Sequence, residues 1–478
     1  MTAPFLLELS AEEAVRRIAR GELRAEEYAT HLLSRSRELK SLNAITWIDE
    51  TRVLEAARAV DRRRARGERP GQLAGLPFIV KDNIDVAGTP SAAATLTLRD
   101  NIAKSNAPVV QRLLDCDAIF FARANMHELA GGGTSSNPSF GTVHNAYDPK
   151  RIPGGSSGGT AAALAAQIVP AGLGSDTAGS VRIPSALSGT AGLRPTIQPR
   201  KLYSDAGVVP LALDLDTVGP MARTVGDVAL LHTAITGTPF PVVPDLHGLR
   251  IGVPRKPHWE DLELEVDRVV TDALAKLRSA GAVLVDVDTE SYYPLASEVY
   301  RTLVMYGIKN DLRPYLAGLS QRVTLEQIVA GIASKDTKTL FEAARDLDIS
   351  AAEIHQARTT SRLRIGGAYQ DLLQKHQLAA IMFPTVPMVA PLIREGGDLR
   401  DDEIEINGRM QNKNLMLLRN THATGALGVP GISLPAGLSK QGMPVGLELD
   451  GLAGHDSDLL GLGMAIERVL GPLPAPAL

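Results

Sequence analysis

The 478-residue chain is predicted to fold as an α/β protein, and three observations carry that expectation. From Leu76 onward short apolar runs (LPFIV, AIFFA, IVPAGLG) alternate with helical segments (APVVQRLLD, TAAALAAQ). After residue 249 the apolar runs resume with LRIGVP, AVLVDVD, AAIMFPTV, GISLP and PVGLEL. Ahead of the first run, residues from about Ser10 to Gly67 show helical periodicity instead. Hydrophobic residues make up 44% of the sequence, enough to bury a sizeable core in one large unit with additions.

Taken in order, residues 1–70 form an N-terminal helical layer, opened by Ser10-Ala11-Glu12-Glu13, which matches a capping box. The basic stretch VDRRRARGERPG suits the solvated end of its last helix. Residues 71–478 form the main unit, with its chemistry in residues 76–200. Cys116, in VVQRLLDCDAIFFAR, lies where a helix gives way to a strand and is expected to be a small core residue. Residues 291–374 form a mostly helical insert carrying Tyr300, Met305, Tyr306 and Tyr315. The apolar run from Leu378 to Ile393 is broken by Pro384, Pro387 and Pro391, so it suits a buried strand and loop rather than a membrane span.

The formal net charge of −4 gives no basic field for nucleic acid, which points to a small or neutral substrate and to neither a nucleic-acid nor a membrane partner. One cysteine excludes an intramolecular disulfide and fits a reducing compartment. The start MTAPFLLELSAEE lacks the basic and long apolar regions of a secretory signal, so the expected location is the cytoplasm.

Two serines stand in the most glycine-dense part of the chain, Ser156 in GGSSGGT and Ser180 in SDTAGSVRIPS, and both follow the lysine of IVKDNIDV, Lys81. Glycine lets the backbone approach a reacting group and turn its N–H donors toward it, as an oxyanion requires. The block from Lys81 to Thr196 resembles the amidase signature family. The resemblance rests on LPFIVKDNIDVAG, RIPGGSSGGTAAALAA and VPAGLGSDTAGSVRIPSALSGTAGLRPT, and recurs in GVPGISLPAGLSKQGMPVGLEL. It implies a central mixed β-sheet sandwiched by helices, an insert that helps line the substrate channel, and a triad of Lys81, Ser156 in a cis peptide and Ser180. Family members commonly carry Asp-Thr-Gly-Gly-Ser where this chain has Asp176-Thr177-Ala178-Gly179-Ser180. Alanine still donates its N–H provided its φ is negative, so the departure is tolerated.

The chemistry agrees with the carry-over. A serine hydroxyl needs a base within hydrogen-bond reach, and the only histidines near these motifs are His127 and His144. A free lysine, with a pKa of about 10.4, is neutral in about one molecule in a few thousand at pH 7, and burial beneath LPFIV lowers that pKa. The expected path runs from Ser180 through Ser156 to Lys81, with the N–H groups of Thr177, Ala178, Gly179 and Ser180 as oxyanion hole. Asp176 and Arg182 are expected to pair and brace the turn, with Ser157 in support. Plainer roles also fit: Ser156 or Ser157 capping the helix TAAALAAQ, Ser180 capping a helix near Val181, and Lys81 as a solvated strand end.

Rival motifs fare worse. Gly154-Gly155-Ser156-Ser157-Gly158 satisfies G-x-S-x-G, but the preceding residues 147–153 are polar and twice broken by proline, unlike the strand before a nucleophile elbow. Gly158-Gly159-Thr160 lacks the lysine of a phosphate-binding loop. His127-Glu128 has no second histidine at metal-ligand spacing, and His232 and His422 suit helix-face or core positions, so neither a metal nor a cofactor is expected. The expected function is hydrolysis of a small aryl-containing carboxamide through an acyl-serine, as in indoleacetamide- and mandelamide-type amidases. The alternatives are an anilide- or urea-type hydrolase, one component of a glutamine-dependent amidotransferase working with partners, or a noncatalytic binder on the same fold. A homodimer, common among such proteins, is the oligomeric state the resemblance leaves open.

Overall fold

β2 (Pro77–Lys81), β3 (Ile119–Ala124) and β4 (Ala171–Asp176) are short, wholly buried runs, and β2 pairs in parallel with both of the others. They belong to an eleven-stranded mixed sheet in the order β1-β3-β2-β4-β6-β5-β12-β13-β9-β7-β8. The remaining strands of that sheet are β1 (Ile45–Ile48), β5 (Ala191–Arg194), β6 (Thr217–Ala222), β7 (Arg250–Pro254), β8 (Val283–Val287), β9 (Ala380–Pro384), β12 (Gly431–Leu438) and β13 (Pro444–Asp450). A separate hairpin joins β10 (Glu403–Ile406) to β11 (Arg409–Asn412). The computed structural model describes residues 3–393 and 403–478. Met1 and Thr2 of the expected N-terminal layer, and residues 394–402 of the 71–478 unit, lie outside the described residues.

The N-terminal segment is helical as expected, with one correction: Ile45–Ile48 joins the edge of the sheet antiparallel to β3, so the layer contributes a strand as well as helices. Its capping box is only half made. Ser10 accepts a hydrogen bond from the Glu13 N–H, but the Glu13 carboxylate is drawn to Arg16 and Arg17, whose charge-assisted bonds outcompete a backbone N–H. Arg62, Arg63 and Arg64 occupy the last turn of the helix Glu50–Ala65, where cations favour the negative end of the helix dipole. Cys116 is half-buried rather than a full core residue, because it caps the helix Pro108–Asp115 and packs against the core from one side.

The insert folds into the helices Tyr293–Asn310, Leu312–Gly318, Leu325–Gly331, Lys335–Asp346, Ala351–Gln356 and Arg362–His376. Its apolar cluster includes Leu129 and Ala130 from one side and Ala423 and Ala426, of the helix His422–Leu427, from the other, so it is packed onto the main unit rather than appended. Among the described residues no helix is long and apolar enough to cross a membrane.

Candidate active site

Parallel pairing puts the ends of β2 and β4 on the same edge, with Val80 opposite Leu173, so Lys81 and Ser175 emerge side by side. Grooves beyond the carboxyl ends of parallel strands are where α/β sheets place ligands. Lys81 is fully buried, which removes the solvated-end role. Its Nζ lies 2.6 Å from Ser156 Oγ, 2.9 Å from Ser175 Oγ and 3.3 Å from the Ser175 carbonyl. A neutral amine meets all three, donating to the carbonyl and the Ser175 hydroxyl while accepting from Ser156. Burial pulls its pKa from 10.5 to about 7, against the opposing pull of Asp176 and Asp216. Among the described residues no carboxylate pairs directly with it, so desolvation wins.

Ser156 follows a cis peptide bond from Gly155. Its carbonyl accepts from the His127 N–H at 3.0 Å, and the next residue, Ser157, donates its N–H to the Ser180 carbonyl at 3.1 Å. The two serine loops are thus stitched together by backbone. Gly174 admits this packing: a Cβ there would come within 2.7 Å of Ser157 Oγ. Neither Ser156 nor Ser157 caps the helix Gly158–Ala165, and Ser180 does not cap the helix Arg182–Ser188, since neither N-terminus has a side-chain capping bond. Ser157 Oγ instead bridges to the backbone of Ser175.

Ser180 is 7% exposed, and its Oγ makes no hydrogen bond among the described residues. The expected link from Ser180 to Ser156 is therefore not closed here; such contacts tighten when substrate binds. In the turn before it, Ala178 keeps a negative φ, whereas Gly179 has φ +131 and would place a Cβ 2.2 Å from Thr421 Oγ1. The Ala178 departure is thus accommodated, and only position 179 requires glycine. One expectation is corrected: the Gly179 N–H donates to Asp176 Oδ1 at 2.9 Å, because that carboxylate lies inside the turn. The N–H groups of Thr177, Ala178 and Ser180 have no acceptor among the described residues.

Asp176 pairs with Arg182 as expected, at 3.0 Å, and also with Arg194 at 2.9 Å, which the sequence did not single out. Burial pushes the Asp176 carboxyl up, but the two guanidinium groups more than offset this and hold it well below the carboxylate range. Arg182 reaches further to Glu448 and, at 3.1 Å, to the Thr421 carbonyl. Burial drives Glu448 well above the usual carboxylate value and Asp450, beside it, up to about 6.

His127 is a brace. Its ring lies 3.3 Å from Asp336 and 3.1 Å from Thr337 of the insert, and its Nδ1 accepts from the Ser135 N–H. His144 sits at the surface against the Pro149 carbonyl. His232 is buried against the Tyr203 hydroxyl, and burial lowers its pKa to about 4. Among the described residues no group of three or more His, Cys, Asp or Glu is arranged to hold a metal ion.

Known proteins resemble this chain along most of its length. The family model described as Amidase matches residues 27–460. The chain is 35% identical to an indoleacetamide hydrolase of Agrobacterium vitis, covering 96% of this chain and 97% of the relative. It is 35% identical to a mandelamide hydrolase of Pseudomonas putida, covering 98% and 93%. One subunit of the glutamyl-tRNA(Gln) amidotransferase of Salinispora arenicola is 34% identical over 99% of both chains. Among solved structures, the native peptide amidase of Stenotrophomonas maltophilia superposes with a TM-score of 0.84 at 28% identity over 99% of both chains.

Proposed function

The chain belongs to the amidase family, and from that membership we propose that it hydrolyses the C–N bond of a small aryl-bearing carboxamide through an acyl-Ser180 intermediate. The observation that carries the reading is the sealed Lys81 amine, 2.6 Å from Ser156 Oγ and brought by burial to a pKa of about 7. At that value about half the lysines are neutral at pH 7, against about one in a few thousand for a free side chain. The amine accepts the Ser156 proton as Ser156 accepts that of Ser180. Ser180 Oγ adds to the amide carbon, and the N–H groups of Thr177, Ala178 and Ser180 receive the charge that develops on oxygen. Losing one such donor typically costs about 3 to 4 kcal/mol. The tetrahedral adduct collapses as the proton returns from Lys81 through Ser156 to the leaving nitrogen, freeing an amine or ammonia. Water then attacks the acyl-enzyme along the same relay, releasing a carboxylate and restoring Ser180.

The aryl acyl group is drawn from the indoleacetamide and mandelamide relatives, which share an aromatic ring close to a carboxamide. A single cysteine suits a reducing compartment, and we place the enzyme in the cytoplasm. The purified chain alone is expected to release ammonia from phenylacetamide with no nucleotide and no second polypeptide. Turnover of glutamine alone, and only once partner polypeptides have been supplied, would replace this reading with the amidotransferase one.

A further inference from the structure

The insert brings aromatic side chains to the helix that lies on the nucleophile turn. Its helix Tyr293–Asn310 packs on the helix His422–Leu427, and that helix lies directly on the turn. A Cβ at Gly425 would come within 2.6 Å of the Thr177 carbonyl, and Thr421 Oγ1 donates to the Ala178 carbonyl. Tyr300 sits across this contact, its ring centroid 5.4 Å from that of His422, with Tyr293 at 5.3 Å from the same imidazole.

Two features set Tyr300 and His422 apart from the apolar cluster they pack against. Both keep accessible surface although Val299, Leu303, Ala423 and Thr424 around them are buried. Both also sense charges beside the nucleophile. Burial, then Asp176 and Asp216, raise the Tyr300 phenol to about 12; burial lowers the His422 imidazole, and Arg182 adds to that.

Both nitrogens of the His422 ring are engaged, which leaves the ring rather than a free nitrogen for contact. Its Nδ1 lies 3.0 Å from the Leu418 carbonyl and so carries the proton, while Nε2 accepts from Ser297 Oγ at 2.8 Å. The Tyr300 hydroxyl has no hydrogen-bond partner among the described residues.

We infer that Tyr300 is a specificity-determining residue, its ring and the His422 ring beside it gripping the aromatic acyl group of the amide bound at Ser180. The inference rests on the amidase reading and narrows it. A flat ring set against two ring faces gains an aromatic contact that an alkyl chain of equal volume does not, so the discrimination lies in the ratio between two substrates.

The test measures kcat/KM for phenylacetamide and hexanamide with wild type, Tyr300→Phe and Tyr300→Leu, each normalised by fluorophosphonate titration of active sites. Tyr300→Leu should lower the aryl-to-alkyl ratio by about tenfold, and Tyr300→Phe should hold it within about threefold of wild type. A Tyr300→Leu ratio equal to that of wild type, or parallel loss on both amides, would overturn the inference while wild-type turnover of phenylacetamide leaves the amidase reading standing. A wild type inert toward phenylacetamide would overturn the aryl reading and this inference together.

Discussion

Lys81→Met removes the amine but keeps an unbranched apolar side chain of similar length in a sealed position, so its effect on activity is separable from repacking. The wild-type ammonium titrates near 7 rather than 10.5, because burial outweighs the attraction of Asp176 and Asp216. About one lysine in ten is neutral at pH 6 and about nine in ten at pH 8. The kcat/KM of wild type should therefore climb about tenfold per pH unit below neutrality and level off above about pH 8. In Lys81→Met the limb should vanish, with activity reduced by about 10²- to 10⁴-fold, the usual worth of general acid–base assistance. Stability supplies a second readout. The unfolded lysine keeps its proton up to about 10.5 while the folded one loses it near 7, so between those values the unfolded state binds more protons and stability rises with pH. Urea unfolding of wild type and Lys81→Met at pH 6, 8 and 10 should show their stability difference changing by about 4 kcal/mol across that range. Asp450, pushed up to about 6 in the neighbouring network, is separated by an Asp450→Asn control. An alkaline limb that persisted in Lys81→Met, or that vanished when His127 or His144 was replaced, would refute the assignment of the base.

Ser156→Ala should leave the fold intact, by circular dichroism, and lower kcat by about 10²- to 10⁴-fold; full activity would remove Ser156 from the relay. Burial pushes the Glu448 carboxyl well up despite Arg182, which favours its neutral form, so Glu448→Gln should cost no more than about 1.5 kcal/mol in urea unfolding. Glu448→Ala strips a buried partner from Arg182 and should cost about 3 to 5 kcal/mol, a contrast that disappears if Glu448 is ionised in the folded protein.

The strands that sequence pattern reveals are the apolar ones. AIFFA and AAIMFPTV became β3 and β9, but TVGPMA of β6 carries Gly219 and Pro220 in the middle of the sheet, and AGLR of β5 is too short and glycine-rich to announce itself. ITWI of β1 is four residues lodged among helices, and its partner β3 comes more than seventy residues later. At the site, Lys81, Ser156 and Ser180 were legible because glycine-dense motifs mark where backbone must come close to a reacting group. Ser175 was missed although it lies within the same motif, because a third serine carries no signal until parallel pairing sets it 2.9 Å from the amine. Arg194, Thr421 and Glu448 act across long stretches of chain on a turn whose sequence does not name its supports. The engagement of the Gly179 N–H by Asp176 likewise depends on where a side chain folds back, which no spacing reveals.

The central claim is that Ser180 is the nucleophile served by Ser156 and Lys81. The direct measurement is the mass of the active-site peptides after reaction of the wild-type protein with a fluorophosphonate, alongside Ser180→Ala assayed on phenylacetamide. The account predicts one phosphonyl adduct, on Ser180, and no turnover by Ser180→Ala. An adduct on Ser156, or amide turnover surviving in Ser180→Ala, would contradict it.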